Sequence, residues 1–353
     1  MADVLLSELT NTDIDWLAEA GEKRSLPKGE AFSNVDGEDK NHFYIVLDGR
    51  LSIYPLASSS LDTTQSSNAE LDSGELIGVA VLFDMPLPRL FFKAIDDTIL
   101  LAVPINTLRT KLKSDLGFAA NFYRAVDLIL SHRVERFIEQ PEKLRFQDEE
   151  NERDVLNVFS EFRDSDLNWL VKAGQVERYK ADSFLLKAGR PTDSLYVILD
   201  GAFSVSVQEH KVNPLALCFE CPIENASNMS VVTTLTKGEI AGAIAFLDAR
   251  PLPFTIRAIR DSLVLAVPRT KFNLHIQQDL GFATRFYRIL GPQLLTMSII
   301  AMELQGMMQS ASSSHTDDEQ EFEGELDLDS LQRMSSGANR FNWMLRHLGV
   351  GVS

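Results

Sequence analysis

Phe43-Tyr44-Ile45-Val46-Leu47-Asp48-Gly49 returns as Leu195-Tyr196-Val197-Ile198-Leu199-Asp200-Gly201, at an offset of 152. Five apolar residues closed by Asp-Gly read as a short buried strand running into a turn. Its recurrence raises the question of a duplicated chain. Working outward, Trp16-Leu17 returns as Trp169-Leu170 at an offset of 153. Gly74-Glu75 returns as Gly238-Glu239, and Asp115-Leu116-Gly117-Phe118-Ala119 as Asp279-Leu280-Gly281-Phe282-Ala283, both at 164. Phe122-Tyr123-Arg124 returns as Phe286-Tyr287-Arg288. The matches keep their order, so the chain is two copies of one unit. The second copy carries about 12 extra residues between its Leu-Asp-Gly and its Gly-Glu.

Each copy is the size of one domain. The expected domains are residues 1–145 and 155–309, joined by the polar stretch 147–154. Each opens with a short helix bearing Trp (Asp13–Ala20, Asp166–Ala173). Short β-type runs follow: Phe43–Leu47, Leu51–Tyr54 and Ile99–Val103, then Leu195–Leu199, Phe203–Val207, Val231–Leu235 and Leu263–Val267. A long helical pattern ends each copy, Phe118–Ile138 and Phe282 to about Gln309. Brief strands with frequent turn residues predict a small barrel or sandwich.

In this order the elements resemble the cyclic-nucleotide-binding domain, as found in the bacterial catabolite activator family. The two Leu-Asp-Gly strands resemble that family's strand-turn. Gly74-Glu75-Leu76-Ile77-Gly78 and Gly238-Glu239-Ile240-Ala241-Gly242 resemble the lead-in to its phosphate-binding cassette, and Leu87-Pro88-Arg89 the cassette's end. The resemblance implies a mainly β fold with helices: two tandem β-rolls of jelly-roll type, each with flanking helices, and no DNA-binding domain.

In such a cassette a helix start offers free N–H groups to a cyclic phosphate, and an Arg pairs with its oxygens. The resemblance implies Gly78, Val79, Ala80 and Arg89 as the ligand-binding set of the first copy, and Gly242, Ala243 and Arg250 as a degenerate set in the second. It also implies a Glu after the cassette Gly, accepting from the ribose. Val79 and Ala243 stand there instead, and neither accepts a hydrogen bond. Arg250 sits one turn early, and Pro253 is followed by Phe254 where the arginine belongs. The sequence thus favours degenerate domains. A cyclic nucleotide or another small anion in the first copy is the alternative, and no other cofactor is expected.

Leu290, Leu294, Met297, Ala301, Leu304 and Met308 are spaced by four and three, an a/d seam. It reads as a homodimer interface, or as a stripe that packs on its own β-roll or on the first copy. Beyond it, 310–338 is Ser-rich and then acidic, with eight Asp or Glu in the thirteen residues 317–329. This linker is expected to be disordered. Residues 339–353 form an expected amphipathic helix with Phe341, Met344, Leu345 and Leu348 on one face. That face reads as a docking helix for a protein partner, or as one that folds back on its own domains.

The chain has 353 residues and a net charge of −17. Such acidity argues against nucleic acid or an anionic membrane as partner. No run of about 18 apolar residues is present, and the N-terminus lacks a signal-peptide pattern, so a cytoplasmic protein is expected. Cys218 and Cys221 form a lone C-x-x-C without the second pair a zinc site needs. With no catalytic motif among its residues, the chain reads as a non-enzymatic regulatory or scaffold protein.

Overall fold

The computed structural model describes residues 2–34, 39–55, 70–85, 90–138, 156–208, 229–248, 252, 254–304 and 328–351. It divides into two compact units. One holds residues 1–137 and 290–310; the other holds 146–289 and 311–353.

In the first unit, α1 (Ala2–Glu8) and α2 (Asn11–Ala20) precede eight strands. These are β1 (Glu22–Leu26), β2 (Ala31–Ser33), β3 (His42–Asp48), β4 (Leu51–Pro55), β5 (Glu70–Leu71), β6 (Leu76–Ile77), β7 (Leu90–Ala94) and β8 (Thr98–Pro104). They make two antiparallel sheets, β1-β8-β3-β6 and β2-β7-β4-β5. Then come α3 (Ile105–Ser114) and α4 (Leu116–Ile138).

The second unit repeats the plan: α5 (Leu156–Glu161), α6 (Asp164–Ala173), then β9 (Gln175–Tyr179), β10 (Phe184–Leu186), β11 (Ser194–Asp200), β12 (Ala202–Gln208), β13 (Met229–Thr236) and β14 (Ile240–Ala241). A six-residue α7 (Ala243–Asp248) precedes β15 (Thr255–Ala258) and β16 (Ser262–Pro268). Its sheets are β9-β16-β11-β14 and β10-β15-β12-β13, strand for strand the order of the first unit. After α8 (Arg269–Gln278) and α9 (Leu280–Leu304), the tail forms α10 (Leu328–His347). The two expected β-rolls with flanking helices are present.

The repeated Asp-Gly has a steric cause. A bulge sits at Val46/Asp48 and at Ile198/Asp200. Each strand then turns on a glycine of positive φ, +87° at Gly49 and +98° at Gly201. A Cβ on Gly49 would stand 2.6 Å from the Asp97 carbonyl oxygen. Only glycine combines that backbone with that approach.

The cores also correspond. Trp16 packs edge-on against Phe118, and Trp169 against Phe282, with ring centroids 5.2 and 5.4 Å apart. They differ beside the Trp. In the first unit the ammonium of Lys111 lies over Trp16 and Phe118. At the matching position of the second unit, His275 stacks flat on Trp169 at 4.0 Å and 10°.

Three expectations change. The second repeat was expected to extend to residue 309, but residues 290–304 of α9 pack with the first unit. The copies stay alike through Arg124 and Arg288 and diverge just beyond, where Gly291-Pro292 stands within α9. Of the seam, Leu290, Leu294 and Met297 are already buried within the single chain. Ala301 and Leu304 are in α9 with side chains outside the described residues, and Met308 is outside them altogether. The tail helix starts at Leu328, not at 339, and it is occupied. Phe341, Met344 and Leu345 are buried, and Leu348 is half-buried. Phe341 meets Phe159 of α5 edge-on at 4.6 Å, while Lys237 lies over its ring at 5.6 Å. Arg340 donates to the Ser160 carbonyl at 2.8 Å. The apolar face expected to reach for another protein is therefore covered inside the second unit. The physical reason is Phe159, whose ring needs a cover. The linker residues 305–327, the junction 147–154 and Cys218 and Cys221 lie outside the described residues.

Two outcomes follow. Phe341→Ala removes a fully packed aromatic ring and should cost the second unit about 3–5 kcal/mol. Urea unfolding read at Trp169 and Trp343 should show a lowered midpoint, while the Trp16 signal of the first unit holds. The second outcome concerns His275, whose pKa burial holds below the ordinary 6.5; Asp279 and Asp166 oppose the shift and Arg285 assists it. The folded state then binds fewer protons than the unfolded one. Stability is complete above pH 6.5 and declines as pH falls below it. The same unfolding midpoint, followed from pH 7.5 to 5.5, should fall less steeply in His275→Phe.

Candidate functional site

The cassette of the first unit begins at Gly78, in a left-handed conformation (φ +84°), and continues as a 3-10 turn over Val79–Phe83. The Gly78 amide lies close to β3: a Cβ there would stand 3.1 Å from the His42 carbonyl oxygen. Val79, Ala80 and Leu82 are buried. Arg109 pins the turn by donating to the Val81 carbonyl and to Asp84, both at 2.8 Å. In the second unit Gly242 takes the same conformation (φ +85°) and starts α7, with Ala243 and Ile244 buried. The structure thus places Gly78, Val79 and Ala80 together, and Gly242 with Ala243, at the two cassette starts. Arg89 and Arg250 lie outside the described residues.

Behind the first cassette lies a cluster that the sequence reading missed. Glu75 is wholly buried, between arginines of α4. Arg133 donates to its carboxylate through Nε at 3.1 Å and Nη2 at 2.5 Å, and to the Leu76 carbonyl at 2.9 Å. Arg136 binds the other carboxylate oxygen and reaches Asp72 at 3.5 Å. A buried carboxylate needs such pairing, since desolvation of a lone charge is prohibitive. Arg-x-x-Arg, two guanidinium groups one turn apart in α4, was the available signal. In the second copy of the sequence, Met297 and Ile300 match Arg133 and Arg136. There Glu239 folds back locally, accepting from the Thr236 amide at 2.6 Å and hydroxyl at 3.2 Å.

The cavity at the first cassette measures about 50 Å³. Gly78, Val79, Ala80 and Arg133 line one part of it; Leu295, Ser298 and Ile299 of α9 line another. Ligand pockets run to about 300–1,000 Å³, so this space suits a water or two rather than a nucleotide. The approach of α9 is close. A Cβ on Gly291 would fall 1.9 Å from the Phe83 ring. Only the bare glycine backbone lets the helix lie against the cassette turn.

Burial also sets Asp127 and Ser131 of α4 apart. Both are fully buried, and neither Asp127 oxygen nor the Ser131 hydroxyl has a hydrogen-bond partner. Desolvation drives the Asp127 carboxyl well above its usual range. Burial without a partner disfavours its charged form. Among the described residues, no group of His, Cys, Asp and Glu could hold a metal, and no helix is long and apolar enough to cross a membrane.

The family model of the cyclic nucleotide-binding domain matches residues 176–279, from β9 to the end of α8. No curated protein matches. Among solved structures, a cAMP-bound PfPKA-R is similar at 16% identity over 99% of this chain and 88% of that one, with a TM-score of 0.30. The regulatory domain of Toxoplasma gondii PKA with cAMP is similar at 14% identity, over 79% and 89%, with a TM-score of 0.29. The regulatory subunit of a cAMP-independent protein kinase A from Trypanosoma cruzi, bound to guanosine, is similar at 16% identity, over 78% and 81%, with a TM-score of 0.27. The second unit is a domain of the cyclic nucleotide-binding fold. The first, with the same strands in the same order, is another, so the chain carries that fold in tandem.

The packing of α9 on the cassette is testable. Gly291→Ala should destabilise the first unit by about 1–3 kcal/mol, the usual cost of overpacking. Phe83→Leu in the same chain should recover most of that loss. Urea unfolding read at Trp16 measures both.

Proposed function

We propose that the chain is a non-enzymatic regulatory protein whose two cyclic nucleotide-binding folds serve as shaped, ligand-independent modules. The observation that carries this reading is the small cavity at the first cassette. Leu295, Ser298 and Ile299 stand at its wall and leave about 50 Å³. The chemistry of the cassettes supports it as well. Val79 and Ala243 are buried apolar side chains at the ribose-facing position that the family resemblance implies. A hydrogen bond lost there weakens binding by about 1.5–3 kcal/mol, before any helix has to move. Arg133, which lines the cavity, is engaged by Glu75 together with Arg136.

Calorimetry of the full chain with cyclic AMP and with cyclic GMP tests the reading. The expected result is no heat of binding at millimolar nucleotide. Micromolar binding abolished by Arg89→Ala would overturn it and establish the alternative, a nucleotide or small-anion sensor in the first unit.

A further inference from the structure

Two copies of one domain allow an occupied surface on one to be compared with the same surface on the other. On the second unit that surface is α5 with the start of α6, and α10 lies on it. The first unit carries the matching surface on α1 and α2, at an offset of 153. Two contacts fix the match. Glu8 pairs with Arg124 as Glu161 pairs with Arg288. Asp13 accepts from the Thr10 amide as Asp166 accepts from the Arg163 amide.

The position of Phe159 is then Leu6. Phe159, under Phe341, is 1% exposed, whereas Leu6 is 60% exposed. The polar contacts of α10 have counterparts too. Arg340 donates to the Ser160 carbonyl and lies 3.3 Å from Asp164. Ser7 and Asn11, both exposed, occupy those positions on the first unit. Ser7 sits in the last turn of α1 as Ser160 does in α5, where helix carbonyls lack partners within the helix. A guanidinium meeting one such carbonyl fits the other, and a cation is favoured at a helix C-terminus.

We propose that the α1–α2 face around Leu6 is a docking surface for an amphipathic helix of a partner protein. The helix would carry an Arg followed directly by an aromatic or long aliphatic anchor, as Arg340-Phe341 does here. Its anchor would cover Leu6, and its Arg would donate at Ser7 and Asn11. The chain's own α10 is spoken for by Phe159. The inference rests on the tandem fold and does not depend on whether either cassette binds a nucleotide.

A synthetic peptide of residues 328–351, fluorescently labelled, serves as probe, with the full chain as target. Anisotropy should show saturable binding of one peptide per chain. Leu6→Lys should weaken it by about tenfold or more, as loss of a central anchor does. Leu6 is exposed, so that variant should fold normally, which circular dichroism checks. A peptide with Phe341→Ala should fail to bind. Absence of binding to the unmodified chain overturns the proposal. Binding that Leu6→Lys leaves unchanged also overturns it, because the peptide is then exchanging with α10 on α5. Self-association of the full chain that Leu6→Lys abolishes overturns it too, by giving the face to a second copy.

Discussion

The burial of Glu75 between Arg133 and Arg136 organises the first unit. The carboxylate sits at the entry to the cassette, on the turn between β5 and β6, with no exposure to water. It is tolerable there only because two guanidinium groups from α4 surround it. The pairing fixes α4 against the β-roll over its last turns and sets where Gly78 begins the cassette. In the second unit the equivalent carboxylate is satisfied by Thr236, three residues away. Met297 and Ile300, standing in for the two arginines, make α9 apolar where α4 is charged. Its second half packs with the first unit instead. One local substitution of partners thus separates two helices that begin with the same sequence.

An apolar helix end needs cover as much as a buried charge needs a partner. Residues 290–304 find it at the first cassette, where the turn Val79–Phe83 presents buried apolar side chains. In a nucleotide-binding cassette such a turn would leave its first amides to a phosphate. Here Leu295 and Ile299 stand at the cavity that the turn borders. Arg133 also lines that cavity, but Glu75 already engages its charge. Gly291 is the condition for the arrangement, since any side chain there collides with Phe83.

The sequence disclosed the β-rolls through the repeated apolar runs of β3 and β11 and the glycines that follow them, Gly49 and Gly201. The observed β3 and β11 extend the expected runs by one residue at each end. It disclosed less where burial rests on few positions. In α3 only Ile105, Leu108 and Leu112 are buried, and the rest is polar, so no segment stood out. The clamp on Glu75 was hidden because its members are 58 and 61 residues apart and pair only through the fold. The a/d stripe of α9 reads as a homodimer interface or as a stripe packed within the chain, and Leu290, Leu294 and Met297 are buried within the chain. A stripe has no address, however, and spacing alone does not say which apolar face it meets. The tail helix is the same case. Its apolar face was evident, but the ring it covers, Phe159, lies in a short helix that the sequence did not mark.

A duplicated fold constrains its later additions. Both units present a helical pair ahead of the roll, tied to the long helix by a Glu–Arg contact. The second unit placed an aromatic ring on that pair, and a ring of that size left open would be a patch for unspecific association. The amphipathic α10 meets the need, because its apolar face supplies the cover. The first unit has the smaller Leu6 at that position, and it is 60% exposed. A surface of that kind persists without a permanent cover, and so it is the one left free to take a helix reversibly.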